Sequence, residues 1–171
     1  EITLAYLTLL SAKGLGPRRI KMLLEHFGSA ISILEADKQA LSEVEGFGDV
    51  TIRAIEEAKK NNWAGKELER ASNLNIQLVH FESESYPKAL KQIYDPPPLL
   101  YVRGKLPTSE RAIGIVGTRD ASDYAMKFTE ALSRDLTNAN VTVVSGLALG
   151  IDSAAHRGAV WECPGGPRHG G

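Results

Sequence analysis

At 171 residues, with 43% hydrophobic and 24% charged residues, the chain has the composition of a folded globular protein of one or two domains. A formal net charge of -1 gives no global basic signature, so bulk electrostatic binding to nucleic acid is disfavoured and any such contact must come from a local patch. The single cysteine, Cys163, excludes an internal disulfide framework and fits a reducing compartment. No stretch approaches a transmembrane span, and residues 1 to 12 lack the basic start and cleavage site of a signal peptide, so the expected location is the cytoplasm. The opening residue, Glu1 rather than methionine, reads as the start of a fragment.

Residues 1 to 73 are expected to be helical throughout. Leu4, Leu7 and Leu10 begin an amphipathic helix that stops at Gly14-Leu15-Gly16, and Pro17 suits the first position of the next helix, with Ile20, Leu23, Leu24 and Phe27 inward. About 32 residues later Leu41 and Val44 lead into Gly46-Phe47-Gly48, followed by Val50, Ile52, Ile55 and Ala58 on another helix. This approximate repeat of helix, Gly-hydrophobic-Gly and helix resembles the helix-hairpin-helix motif, whose glycine turns present backbone N–H groups to a DNA phosphate without reading bases. Gly14, Gly16, Arg18 and Arg19, with Lys21 beside them, form a candidate secondary DNA contact on that reading. Glu45 and Asp49 at the second turn favour the alternative, a helical bundle that uses its glycines only to reverse direction or to dock another protein. The helix from Val50 is expected to run to about Asn73, with a break at Asn61-Asn62.

From Ile76 the pattern changes. Ile76 to Phe81 and Leu99 to Arg103 are predicted strands, with a short helix from Tyr86-Pro87 to Ile93 and a stiff Pro96-Pro97-Pro98 turn between them; both strands are expected to extend the sheet ahead of Ile113. Ile113 to Gly117 is an unalternating apolar run that suits a parallel strand buried on both faces, and Val141 to Ser145 is a second. Between them Ser122 is a predicted N-cap for a helix carrying Phe128, Leu132 and Leu136 at fourfold spacing. A βαβ unit of this kind sends both strands the same way, so Gly117-Thr118-Arg119 and Ser145-Gly146 share the sheet edge where open α/β proteins bind ligands. Glycines and following helix N-termini make that edge suitable for phosphate. Asp152 cannot bind phosphate while ionised and is assigned to orienting the turn or holding Arg119. Ser145 is either a phosphate ligand or a strand-end residue bonding its own turn, and both remain open. His156 follows on a helix, but no Gly-x-Ser-x-Gly elbow accompanies it, so it is read as structural.

The residues Tyr86-Pro87 with Leu90 and Ile93, Asp95-Pro96-Pro97, Leu100 to Gly104, Ile115 to Arg119 with Ser122 and Tyr124, and Ser145 to Asp152 with Ala155-His156 and Gly158 resemble, in order and separation, the DNA-processing protein A (DprA, Smf) family. The resemblance covers roughly residues 1 to 160. It implies an α/β chain with an all-helical domain, similar to sterile-alpha-motif and helix-hairpin-helix modules, over residues 1–73. The first part of an extended Rossmann-like domain with a parallel sheet follows over 74–160. It further implies a protein, not an enzyme, that binds and protects single-stranded DNA, loads the RecA recombinase in natural transformation, and forms homodimers. Carried onto this chain, Gly117, Thr118 and Arg119 would hold the DNA backbone, with Arg119 as the main cation, and Ser145, Gly146, Gly150 and Asp152 would shape the rest of the pocket. No catalytic residue, cofactor or metal is implied.

Several features depart from that family. Ala125 stands where glycine is common, and Leu149 where many members carry arginine. After Gly158 the pattern ends, and residues 161–171 are too rich in glycine and proline for a strand or helix, which reads as a disordered or out-of-pattern tail of a truncated or frame-shifted domain that is expected to dimerise poorly. The rival reading is a nucleotide-hydrolysing enzyme of the lysine-decarboxylase-like, phosphoribohydrolase type. Pro164-Gly165-Gly166 matches the start of its loop, but no glutamate follows. A nicotinamide-dependent oxidoreductase would need Gly-x-Gly-x-x-Gly, which neither turn offers. Cys163, His169 and His156 are too dispersed for a metal site.

Overall fold

The computed structural model describes residues 1–107 and 111–160, which fall into two compact units, one of Glu1–Leu106 and one from Pro107 on. In the first unit α1 (Ile2–Ser11), α2 (Pro17–Phe27), the short α3 (Ala30–Glu35) and α4 (Lys38–Ser42), α5 (Asp49–Lys60) and α6 (Trp63–Asn73) surround one apolar core. Leu7, Leu9, Ile20, Leu23, Ile33, Leu41 and Ile55 in that core are fully buried, each contributing on the order of 1.5–3 kcal/mol by leaving water. The break expected at Asn61-Asn62 is there, between α5 and α6.

The repeat read from the sequence is a repeat in three dimensions. Gly14 and Gly46 both take positive φ, +81° and +84°, a conformation that favours glycine. Gly16 and Gly48 then cap α2 and α5 with nearly the same extended geometry, and Leu15 and Phe47 between them are buried. Arg19 pins the two halves together. Its guanidinium donates to the Thr51 hydroxyl at 3.0 Å and to the Gly14 carbonyl at 3.4 Å, and lies over the Phe47 ring at 5.8 Å. Thr51 is 32 residues after Arg19, the repeat interval itself.

Strands β1 (Ile76–His80) and β2 (Leu99–Arg103), with α7 (Lys88–Lys91) between them, pair antiparallel in the register Ile76 to Arg103 through His80 to Leu99. They belong with the helices. Leu99 joins the helical core, and Val79, Val102 and Tyr86 form a small cluster beside it, with the Tyr86 hydroxyl donating to the Pro97 carbonyl at 2.7 Å. The expectation that these strands extend the sheet ahead of Ile113 is therefore corrected. Each satisfies the other's backbone, and among the described residues no ladder joins them to the parallel pair.

Against β1, the His80 ring stacks on buried Tyr6 of α1, centroids 5.4 Å apart, and the His80 Nδ1 is buried without a hydrogen-bond partner among the described residues. Burial, helped by the Lys91 charge and opposed by Glu82, holds the His80 imidazole below its ordinary range. The unfolded chain therefore binds the proton more readily, and stability should be present above the unfolded pKa and fall as pH drops through and below it. Thermal unfolding followed from about pH 7 to pH 5 should show this loss, and His80→Phe should flatten the part of the profile that His80 causes.

The second unit contains β3 (Ala112–Gly114), α8 (Asp123–Asn138), β4 (Thr142–Val144) and α9 (Ile151–Val160). β3 and β4 pair in parallel, Ala112 opposite Thr142 and Gly114 opposite Val144, as the βαβ reading requires. Ser122 caps α8, its hydroxyl accepting from the Ala125 N–H at 3.3 Å. The face of α8 that packs is not the one its large residues suggest. Thr129 and Ser133 are buried, whereas Phe128 and Leu132 are exposed. The reason is the closeness of α9: a Cβ on Gly158 would overlap the Glu130 carbonyl and stand 2.8 Å from the Ser133 Cβ, so the seam has no room for a side chain there, and Ala154 and Ala155 of the same helix are buried. Arg157 crosses it to Glu130 at 3.3 Å. The sheet is two strands wide among the described residues, which leaves the Phe128 side without a partner.

Candidate functional site

Both ends of the parallel pair open on one edge. The ladder continues one step beyond β3, with Ile115 N–H donating to the Val144 carbonyl at 2.9 Å, and Ser145 Oγ donates back to the Ile115 carbonyl at 2.7 Å. Ser145 thus ties the two strand ends across the sheet, a use of its hydroxyl that neither open reading described.

Beyond this tie the two loops meet backbone to backbone. Ile151 N–H, at the start of α9, donates to the Thr118 carbonyl at 3.2 Å. Gly150 has φ +77°, and a Cβ there would overlap the Thr118 carbonyl and stand 2.7 Å from that of Arg119. Gly117 is constrained from the opposite direction, since its Cβ would meet the Ile151 side chain at 2.6 Å. The glycines in this pair of turns serve close approach of one loop to the other.

Asp152, buried in the first turn of α9, accepts the Gly146 N–H at 3.0 Å through Oδ2. Of the two roles expected for it, orienting the turn is the one its contact performs, and no ion pair links it to Arg119 among the described residues. A carboxylate at a helix N-terminus is also favourably placed against the helix dipole. Thr118 Oγ1 accepts from the Asp120 N–H at 3.2 Å, which folds the loop back on itself. Arg119 is exposed on that loop with no ion pair among the described residues. The structure therefore brings Gly117, Thr118, Arg119, Ser145, Gly146, Gly150 and Asp152 together at one sheet edge, with Arg119 as the cation it presents to solvent.

Leu147 and Leu149, at the tip of the second loop, are 79% and 76% exposed, and Leu147 adopts positive φ, +58°, which is costly for a residue with a side chain. This strain is not legible in the residue pattern, because the Ser145–Gly150 run reads as a glycine turn with the bends at its glycines. Of the secondary candidates, Gly14 and Gly16 form the first hairpin turn, Arg18 is exposed beside it, and Arg19 is engaged internally as described. Among the described residues no group of three or more His, Cys, Asp or Glu side chains is arranged to hold a metal ion, and no helix is long and apolar enough to cross a membrane. The tail that carries Cys163, Pro164-Gly165-Gly166 and His169 lies outside the described residues.

Comparison with known proteins gives a consistent result. The family model for DNA recombination-mediator protein A matches residues 77–164, and one for a SAM-like helix-hairpin-helix tandem matches residues 6–60. Protein Smf of Synechocystis sp. is 38% identical over 149 residues, covering 84% of this chain and 37% of its own length. DNA processing protein DprA of Bacillus subtilis is 37% identical over 87 residues, covering 50% of this chain and 29% of its own. The X-ray structure of DNA processing protein A from Streptococcus pneumoniae superposes with a TM-score of 0.71 at 26% identity, over 92% of this chain and 54% of that one. The chain thus spans little more than a third of the first of these sequences and about half of the solved structure. With its helical tandem, its parallel pair and both glycine turns inside the matched segments, the chain belongs to the DNA recombination-mediator protein A family.

Proposed function

We propose that this chain binds single-stranded DNA through the edge of its parallel pair, as the helical module (residues 1–73) and first Rossmann-like part (residues 74–160) of a cytoplasmic DNA-processing protein. It acts as a binding protein rather than an enzyme, protects incoming strands during transformation, helps load RecA, and works as a homodimer. The carrying observation is the closed pair of turns: Gly150 and Gly117 lock the loops together, Asp152 and Ser145 satisfy them internally, and Arg119 is left exposed and without an ion pair among the described residues. A guanidinium held on a rigid loop suits a phosphodiester, because its planar fork can donate two parallel hydrogen bonds to phosphate oxygens. The first turn of the helical tandem, with Gly14, Gly16, Arg18 and Arg19, is a secondary contact on the same reading.

The test is an anisotropy titration of labelled oligo-dT at fixed, moderate salt. Arg119→Ala should weaken binding about tenfold and lower the salt slope by about 0.7, the share of one single-strand phosphate. Arg119→Lys should recover part of the affinity, since the charge remains without the fork. Wild-type affinity in an Arg119→Ala protein with an unchanged circular dichroism spectrum would sink the assignment.

A further inference from the structure

The first unit carries a cluster of cations that begins just past the first glycine turn of its tandem, at Arg18 and Lys21 of α2, and continues to Lys91. Pro17, Lys21, Phe81, Pro96 and Pro98 line a shallow groove between α2 and the proline turn that precedes β2. At one side the Arg18 guanidinium lies over the ring of Tyr94, 5.9 Å from its centroid. The Lys91 ammonium sits over Phe81 at 5.3 Å and near Tyr86 at 5.7 Å. Three positive charges therefore border one strip of aromatic and proline surface. No ion pair neutralises Arg18, Lys21 or Lys91 among the described residues, although Asp95 beside Tyr94 and Glu25 one turn after Lys21 moderate the local charge.

Tyr94 is the unusual member. It is 74% exposed even with Arg18 on it, whereas the other aromatic residues of the strip, Phe81 and Tyr86, are partly or fully buried. An aromatic ring left in water gains nothing for the fold; held in place by a guanidinium, it is a preorganised stacking surface. We infer that this strip is a second contact for single-stranded nucleic acid, an assignment that rests on the single-strand binding proposed above. One base stacks on Tyr94, and Arg18, Lys21 and Lys91 hold neighbouring phosphates. A single strand offers a π-face and a phosphate at every step, which matches an exposed ring among cations, while an acidic peptide would answer only the charge. Arg19, engaged by Thr51 and Gly14, takes no part, so the basic character of α2 is delivered by its neighbours.

The 171-residue chain is titrated with labelled oligo-dT, and an oligonucleotide carrying 5-iododeoxyuridine is photo-crosslinked to it and the adduct mapped by mass spectrometry. The expected result is an adduct at Tyr94, about tenfold weaker binding for Tyr94→Ala, and near wild-type binding for Tyr94→Phe, which keeps the ring. Lys21→Ala and Lys91→Ala should each lower the salt slope by about 0.7. Unchanged affinity for Tyr94→Ala and Arg18→Ala, with no adduct on residues 88–98, would overturn the inference, as would a wild-type chain that binds poly-glutamate but no oligo-dT. Arg119→Ala, run in parallel, separates the two assignments. Loss there with a silent Tyr94→Ala leaves the sheet-edge site alone standing; loss at Tyr94 with a silent Arg119→Ala leaves only this strip.

Discussion

Gly150→Ala is expected to destabilise the unit that begins at Pro107 by about 3–5 kcal/mol, the sum of a left-handed backbone penalty and an overpacking penalty, and to abolish single-strand binding at the sheet edge with it. Two separate costs meet at this position. The backbone holds φ +77°, which any side chain resists, and the added methyl would lie inside the Thr118 carbonyl and 2.7 Å from that of Arg119. Both obstacles are main chain, which cannot rotate away as a side chain can. Gly14→Ala supplies the comparison. There φ is +81° but nothing lies within 4 Å of the added carbon, so only the conformational cost, about 1 kcal/mol, should appear. Hydrogen exchange of the α8 and α9 amides, read beside that of α1 and α2, measures each unit separately. Equal losses for the two substitutions would mean that loop-to-loop contact contributes nothing to holding the site.

That contrast marks what could and could not be read from the sequence. Local signals carried the helical unit: Pro17 at a helix start, the Gly-x-Gly pairs 32 residues apart and the Asn61-Asn62 break each act within a few residues of themselves, and each sits where expected. The βαβ unit was legible for the same reason, since strand, cap and helix follow one another and the handedness of the crossover fixes the rest. What was not legible depends on partners distant in the chain. Ile76–His80 and Leu99–Arg103 have the composition of strands, but composition does not say which edge they pair with, and they close on each other over the helical core. The fourfold spacing of Phe128, Leu132 and Leu136 identifies an apolar stripe on α8, yet the close seam rests on Gly158, which has no side chain and lets α9 approach Glu130 and Ser133, while Thr129 and Ser133 are buried instead. At the site, Arg19 looks in sequence like one more basic residue beside a glycine turn. Only the fold places Thr51 and Phe47 where they take up its guanidinium.

Asp152→Ala should cost the second unit about 2–3 kcal/mol, whereas Asp152→Asn should cost about 1 kcal/mol or less. The carboxylate is buried and its one described contact is the Gly146 N–H, so truncation to alanine leaves a main-chain donor without its acceptor and opens a small space between the turn and α9. Asparagine keeps an acceptor oxygen of the same reach but loses the charge that favours the helix N-terminus, a difference of some tenths of a kcal/mol up to about 1. The two variants also separate a turn-holding role from a ligand-binding one. If Asp152 acts only by holding the second turn, Asn should bind oligo-dT nearly as tightly as the parent chain, and Ala should lose affinity in proportion to the protection lost at the Gly146 amide in hydrogen exchange. Removing a negative charge from beside a bound phosphate would instead raise affinity in both variants, whatever happens to that amide. The Gly146 contact supports the first outcome: a carboxylate whose oxygen is already taken up by a main-chain N–H inside the fold is built to fix the loop's shape, and the loop that carries Arg119 is tied to the same helix start through the Ile151 N–H and the Thr118 carbonyl.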